Sequence, residues 1–380
     1  MGRYYFDWAA TAIPDGAPEE LTVDLPFGNP SSLHGEGRRA RAILEQARAQ
    51  AARVLGVPPS TLVFTSGATE SNALVLYSLL LRSPGGGIVY SALEHPSITE
   101  NCDQLERLRI PTVRLPVTAL GTLEIDRVVN ILDKNRQLRM VALMAVNNEI
   151  GSIQSVYALS RAIKEDIPHP VHVHCDLVQG VGKIPFSLSE SLVDSASISA
   201  HKIGGPRGIG LLYLKKRIQV LYRGGGQEGG IRSGTENVMG AVALARALER
   251  HAEPAVVEKE YRAAQKRWTT LIQELQTLGR CVLIPQGRKP DDQRFSPYIL
   301  QASFTGIPGE VLLRCLDDEG IAISMGSACS QADQKRPLLA EMGIPREIAL
   351  GGVRFSQGWT TTDKDVEILV GTLKGILKKL

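Results

Sequence analysis

The chain alternates short apolar runs with longer stretches in which apolar residues recur every three or four positions. Residues 62–65, 88–91, 140–146, 171–176, 195–199 and 210–214 read as short buried strands. Residues 40–55 carry Ala40, Ile43, Leu44, Ala47, Ala51, Val54 and Leu55 at helical spacing, and Gly56 follows as a C-cap signal. Further helices are predicted over 70–81, from Pro96 onward, over 155–165 and over 236–251. Strands alternating with helices imply a mostly parallel sheet covered on both faces, and ligands on such sheets sit at the carboxyl ends of the strands.

From about residue 255 the rhythm changes. A long polar helix is predicted over 256–278, then strands over 298–304, 321–324 and 353–356, with a helix over 309–316. Thr362 reads as the N-cap of a last helix, with Asp363 and Asp365 in its first turn and a stripe of Val366, Leu369, Val370, Leu373, Ile376 and Leu377. The expected organisation is a large domain of residues 15–254 and a smaller α/β domain of residues 255–380, against which the arm of residues 1–14 packs.

Composition narrows the function classes. The 380 residues hold 43 Lys and Arg against 40 Asp and Glu, a formal charge of +3, so no strong field steers the protein to nucleic acid or membrane. Aromatic residues make up 5%, too few for base-stacking surfaces. No apolar run is long enough to span a bilayer. The five cysteines, Cys102, Cys175, Cys281, Cys315 and Cys329, form no CxxC pair, which disfavours a zinc knuckle or a disulfide framework. Reduced thiols and a start without an apolar leader fit a cytoplasmic location.

Five features carry chemistry. Lys202 follows a strand and precedes a glycine-rich loop, where it can be held in a cleft as an amine nucleophile; most lysines are solvated surface charges. Asp176 ends the strand 171–176, and alternation puts His172, His174 and Asp176 on one side. A strand-end acid can keep a cofactor's pyridinium nitrogen protonated; a metal site at His172 and His174 lacks a clear third ligand, and a plain hydrogen-bonded Asp is the commoner case. Residues 65–70 make a strand-to-helix turn whose amides and hydroxyls suit a phosphate, although Ser and Thr cap helices everywhere. Residues 224–235 form a second glycine-rich loop, either a linker or, with Thr235 opening the next helix, a second oxyanion site. Cys329 opens a polar segment next to cations that favour thiolate. Arg354 lies on an otherwise apolar strand and needs a carboxylate, from the protein or from a substrate. A nucleophilic Lys, a strand-end Asp, two phosphate-type loops, a carboxylate-binding Arg and an exposed thiol are all used by a phosphorylated aldehyde cofactor acting on an amino acid.

Taken together, the motifs Asp7–Thr11, Gly28–Ser32, Thr65–Asn72, Glu94-His95, Asn147–Gly151, Asp176–Gln179, Ser199–Lys202, Arg232–Thr235, Gly326–Cys329 and Val353–Ser356 resemble, nearly end to end, the pyridoxal-phosphate-dependent cysteine desulfurases of the NifS/IscS type in the class V aminotransferase family. The resemblance implies the fold type I of pyridoxal-phosphate-dependent transferases, with a mostly parallel, mixed seven-stranded sheet. It implies that Lys202 carries the cofactor and moves the α-proton, that Asp176 pairs with the ring nitrogen, and that His95 stacks on the ring. Gln179 would bond the ring hydroxyl and Asn148 the cofactor oxygen or substrate. Ala68, Thr69, Ser199 and His201 would hold the phosphate, with Thr235 from a neighbouring subunit, hence a homodimer. Arg354 and Asn29 would hold the carboxylate of L-cysteine, and Cys329 would take the sulfur as a persulfide for an acceptor protein, such as an iron–sulfur scaffold. Leu177 and Val178 depart from the family's small residues beside the ring, and the Arg-x-Gly-His-x-Cys pattern of the short-loop group is absent. A selenocysteine lyase, an aminotransferase and a non-enzymatic sulfur-carrier partner are the alternative readings.

Overall fold

A computed structural model describes residues 3–14, 27–81, 86–326 and 337–380. The arm begins with a two-residue strand, β1 (Tyr4–Tyr5). Seven strands build the principal sheet: β2 (Leu62–Thr65), β3 (Gly87–Ser91), β4 (Thr112–Leu115), β5 (Leu138–Met144), β6 (His172–Asp176), β7 (Ser195–Ser199) and β8 (Gly210–Leu214). Their spatial order is β2-β8-β7-β6-β5-β3-β4. Strands β7, β6, β5, β3 and β4 run parallel, while β8 runs antiparallel to both of its neighbours. This is the mixed, mostly parallel seven-stranded sheet expected of the fold.

Helices α1 (Gly35–Leu55), α2 (Ala68–Tyr77), α3 (Pro96–Arg107), α4 (Ile125–Lys134), α5 (Val156–Asp166) and α6 (Val238–His251) cover it. Gly56 closes α1 in the left-handed conformation at φ 66°, as its type predicts. Helix α2 is shorter than the expected 70–81. Ser78 Oγ donates back to the Val75 carbonyl, and the chain continues as a single 3₁₀ turn, Ser78–Leu81. Strand β4 and helix α4 have no counterpart in the sequence reading. The strand lies at the sheet edge, is mostly half-buried and includes exposed Arg114, so its apolar run is too short to stand out. Helix α6 starts at Val238 with Asn237 as N-cap, whose side chain accepts from Gly240 N–H. Thr235 therefore stands ahead of the helix rather than opening it.

The remaining chain forms a three-stranded antiparallel sheet, ordered β12-β10-β9, from β9 (Cys281–Ile284), β10 (Ile299–Phe304) and β12 (Gly352–Ser356). With it go α7 (Pro254–Gln276), α8 (Gly309–Asp318), β11 (Ile321–Ala322), α9 (Pro337–Glu341), α10 (Arg346–Leu350) and α11 (Asp363–Lys379). Thr362 caps α11 in a full capping box with Asp365. The apolar stripe of α11 joins Trp268, Phe304 and Phe355 in a second core. Phe6 is buried in that core, and β1 pairs in parallel with β11, so the first residues of the chain are held by its last third.

One buried ion pair fixes the glycine-rich loop ahead of α6. Glu228 sits at φ 49°, a left-handed backbone unusual for its type. Its carboxylate accepts two hydrogen bonds from Arg48 at 2.7 Å each and one from Phe64 N–H at 2.8 Å, while Arg48 lies over the Phe64 ring. Glu228→Ala leaves the Arg48 guanidinium buried with only Glu45 and a carbonyl, and is expected to lower unfolding stability by about 3 kcal/mol, measured by urea denaturation.

Candidate active site

Because β6 and β7 are parallel neighbours, their carboxyl ends lie at one edge of the sheet. Asp176 ends β6, and Lys202 closes the 3₁₀ turn Ala200–Lys202 that follows β7. Both line a cavity of about 570 Å³, together with His95, Asn148, Gln179, Ser199, His201 and Arg354, a volume suited to a small-molecule ligand. Lys202 Nζ donates to the carbonyls of Ala9 and Ala10 at 2.6 and 2.7 Å, so the N-terminal arm forms one wall. The buried Asp176 carboxylate accepts from Val178 N–H and from Asn72 Nδ2, each at 3.0 Å. His95 is the N-cap of α3: its Nδ1 accepts from Ser97 N–H. Burial and the Lys202 charge hold the His95 pKa below its usual value, against the opposing pull of Asp176.

Behind this wall is a buried lysine. Lys183 donates to Gln179 Oε1 at 2.7 Å, and Gln179 Nε2 donates to the Ala9 carbonyl. Burial, with Lys202 and Arg354 nearby, brings Lys183 down to about 7. His201 is brought down to about 4 by burial and by Lys202, Lys183 and Arg207. The neighbouring cations make the pocket receptive to anions.

One end of the pocket is built for an oxyanion. Helix α2 starts at Ala68 with no side-chain cap on its amides, and Thr69, Ser199 and His201 line the same cavity. Glycine is required opposite, since a Cβ on Gly210 would meet Gly67 Cα at 2.6 Å. Glu70 accepts from Ser66 N–H and from Arg232 Nε, which ties the turn of residues 65–70 to the second glycine-rich loop. Arg354, which also lines the cavity, is 2% exposed. It donates to Asp7 Oδ1 at 2.7 Å and to the Asn148 carbonyl at 2.8 Å, and its buried Nε has no partner among the described residues.

Most of the residues singled out from the sequence thus meet in one pocket. Asn29 and Thr235 are exposed and do not line it; Asn29 Oδ1 instead accepts from Ser31 N–H. Cys329 lies outside the described residues. His172 and His174, weighed as metal ligands, spend ring nitrogens on Ser195 and Asn72, and no group of three or more His, Cys, Asp or Glu among the described residues could hold a metal ion. Sequence reading missed Asp7, Asn72 and Lys183. Asp7 and Asn72 stand inside two of the motifs and carry no signal of their own, and Lys183 looks like any surface lysine until its burial is known.

Over residues 4–369 the sequence matches the family model for aminotransferase class-V. The chain belongs to that family. The cysteine desulfurase IscS of Dictyoglomus turgidum is 37% identical over 386 residues, which cover 99% of this chain and 95% of the relative. A solved NifS-like protein superposes with a TM-score of 0.90 at 35% identity, covering all of both chains. SspA, solved in complex with cysteine, is similar at 27% identity and a TM-score of 0.76, covering 93% of this chain and 98% of the other. The resemblance to the NifS/IscS-type cysteine desulfurases is borne out along the whole chain, and with it the fold class. No helix among the described residues is long and apolar enough to cross a membrane.

In this class V family member the depressed Lys183 has a measurable consequence. From about pH 7 to about pH 10, unfolded Lys183 holds a proton that the folded form gives up, so its contribution to stability rises with pH by at most ~1.4 kcal/mol per unit. Lys183→Met is expected to be more stable than the parent chain at pH 7 and to lose that advantage as the pH approaches 10, measured by denaturant melts at each pH.

Proposed function

We propose that the chain is a pyridoxal 5′-phosphate-dependent cysteine desulfurase that converts L-cysteine to L-alanine and takes the sulfur onto Cys329 as a persulfide. The observation that carries this reading is the meeting, in one cavity, of an amine, a strand-end carboxylate, an uncapped helix N-terminus and an arginine with an orphaned N–H. These residues fit the cofactor. The amides of Ala68 and Thr69, with Ser199 and His201, would hold the phosphate; Asp176 the ring nitrogen; His95 the ring face; Gln179 the ring hydroxyl; and Lys202 the aldehyde carbon. When bound, pyridoxal phosphate supplies an electron-poor ring that accepts the electron pair left by loss of the substrate's α-proton.

The chain's own residues do the rest. Arg354 binds the cysteine carboxylate through its free Nε–H, helped by Asn148. Lys202 takes the α-proton and returns it. Asp176, as an anion, stabilises the positive ring nitrogen. The Cys329 thiolate attacks the substrate sulfur, so that a sulfur–sulfur bond forms and the carbon–sulfur bond breaks. Its electron pair stays with the three-carbon fragment, which takes up protons and leaves as alanine. The persulfide then passes to an acceptor, an iron–sulfur scaffold or a thiolation partner. The reading includes a homodimer in which Thr235 reaches the partner's phosphate site, a cytoplasmic location, and the division into residues 15–254 and residues 1–14 with 255–380.

Protein loaded with pyridoxal phosphate is expected to absorb in the visible, and Lys202→Ala to lose that band. Cys329→Ser keeps the band and stops sulfide release from cysteine; if it still releases sulfide at the parent rate, the related lyase or aminotransferase readings take over. A chain that stays colourless after reconstitution would overturn the proposal. Arg354→Lys is expected to raise KM for cysteine about 100-fold, since one point charge replaces a planar fork.

A further inference from the structure

A continuous line of hydrogen bonds runs from the lower end of β6 to the pocket. His172 Nε2 lies 2.7 Å from Ser195 Oγ, and Ser195 Oγ lies 2.8 Å from His174 Nδ1. His174 Nε2 lies 2.8 Å from Asn72 Oδ1, and Asn72 Nδ2 donates to Asp176 Oδ2 at 3.0 Å. The same Asn72 nitrogen donates to Ser97 Oγ at 2.8 Å, and Ser97 Oγ lies 2.9 Å from His95 Nδ1. Asn72, His174 and Ser195 are wholly buried.

The donor and acceptor inventory gives these contacts a single direction. An ionised carboxylate only accepts, so the Asn72 nitrogen faces Asp176 and its oxygen faces His174. That oxygen requires a proton on His174 Nε2. The ring is neutral, because burial and neighbouring His172 hold its pKa near 3, so Nδ1 accepts from Ser195 O–H. Ser195, its proton spent, accepts from His172 Nε2–H. On the other branch Ser97 Oγ accepts from Asn72 and gives its own proton to His95 Nδ1, which also accepts from Ser97 N–H. A neutral His95 must then carry its proton on Nε2.

We infer that Asn72, held by His174 and Ser195, is a positioning residue that keeps Asp176 an anion and fixes the His95 ring proton on Nε2. A turned amide would set its oxygen about 3 Å from a carboxylate oxygen, and two opposed acceptors are relieved only by a proton on Asp176. One amide thus sets the charge of the ring-nitrogen partner and the tautomer of the ring-stacking histidine, roles that rest on the reading given under Proposed function.

Two measurements decide the matter. In the full chain labelled with ¹⁵N-histidine, His174 and His95 are expected as Nε2–H tautomers, and His174 is expected not to titrate from about pH 5 to about pH 9. His174 protonated on Nδ1, or titrating in that range, would overturn the inference without reference to any cofactor. In the loaded protein, His174→Gln keeps an N–H facing Asn72, whereas His174→Leu removes it. With Asp176 harder to ionise, the ring nitrogen withdraws less charge and the Lys202 nitrogen holds its proton to higher pH. The visible band of the Leu variant is therefore expected to titrate about one unit higher than that of the parent, and the Gln variant with the parent. Glu94, His95 and Cys175, which interact electrostatically with Asp176, and Lys202 are the same in both variants. Equal titration of the two variants sinks the inference. Should no visible band form at all, the cofactor reading fails, and the tautomers still decide the role of Asn72.

Discussion

Lys202 gives its ammonium protons to two backbone carbonyls, those of Ala9 and Ala10, and the rest of the pocket is organised around that contact. It joins a residue at the carboxyl edge of the parallel sheet to an arm 192 to 193 positions earlier in the sequence. The arm must be in place for the amine to be held, and it is held by other means: strand pairing with β11, Phe6 in the second core, and Ser356 Oγ accepting from Ala9 N–H. The arm in this way joins the second core to a cavity lined by charged and polar side chains together with Met144, Val146 and Val178.

Ionisable groups near this contact have the charges their surroundings permit. Glu94, buried beside Asp176, is pushed up to about 8 by loss of water, and one of its oxygens has no partner among the described residues. His174 is kept neutral, and Lys183 is eased toward neutrality. The Asp176 carboxylate accepts hydrogen bonds from Asn72 and Val178. The pocket therefore combines a carboxylate with several cations at short range, an arrangement suited to a ligand carrying separated negative groups.

Much of this was legible in the sequence. Strands 195–199 and 210–214 and the cap at Thr362 match the observed elements, because apolar runs bounded by turn residues and an Asp-rich first turn are local signals. The edge strand β4 and its following helix were not legible, since an edge strand half-open to water lacks a continuous apolar run. Asp176, Ser199 and His95 could be found because each ends a strand or caps a helix, and Lys202 because it follows a strand. The partners behind them could not. Asp7 matters through Arg354, Asn72 through His174, and Lys183 through its depth in the fold, and none of those facts is local. Alternation did place His172, His174 and Asp176 on one side of β6, but only the packing of α2 shows that an amide, not a metal, joins the last two.

The pairing of Asp7 with Arg354 spans 347 positions. During synthesis the carboxylate emerges first and waits for its guanidinium while some 347 further residues are made. A chain that stops short of β12 lacks Arg354 and so lacks one wall of the pocket.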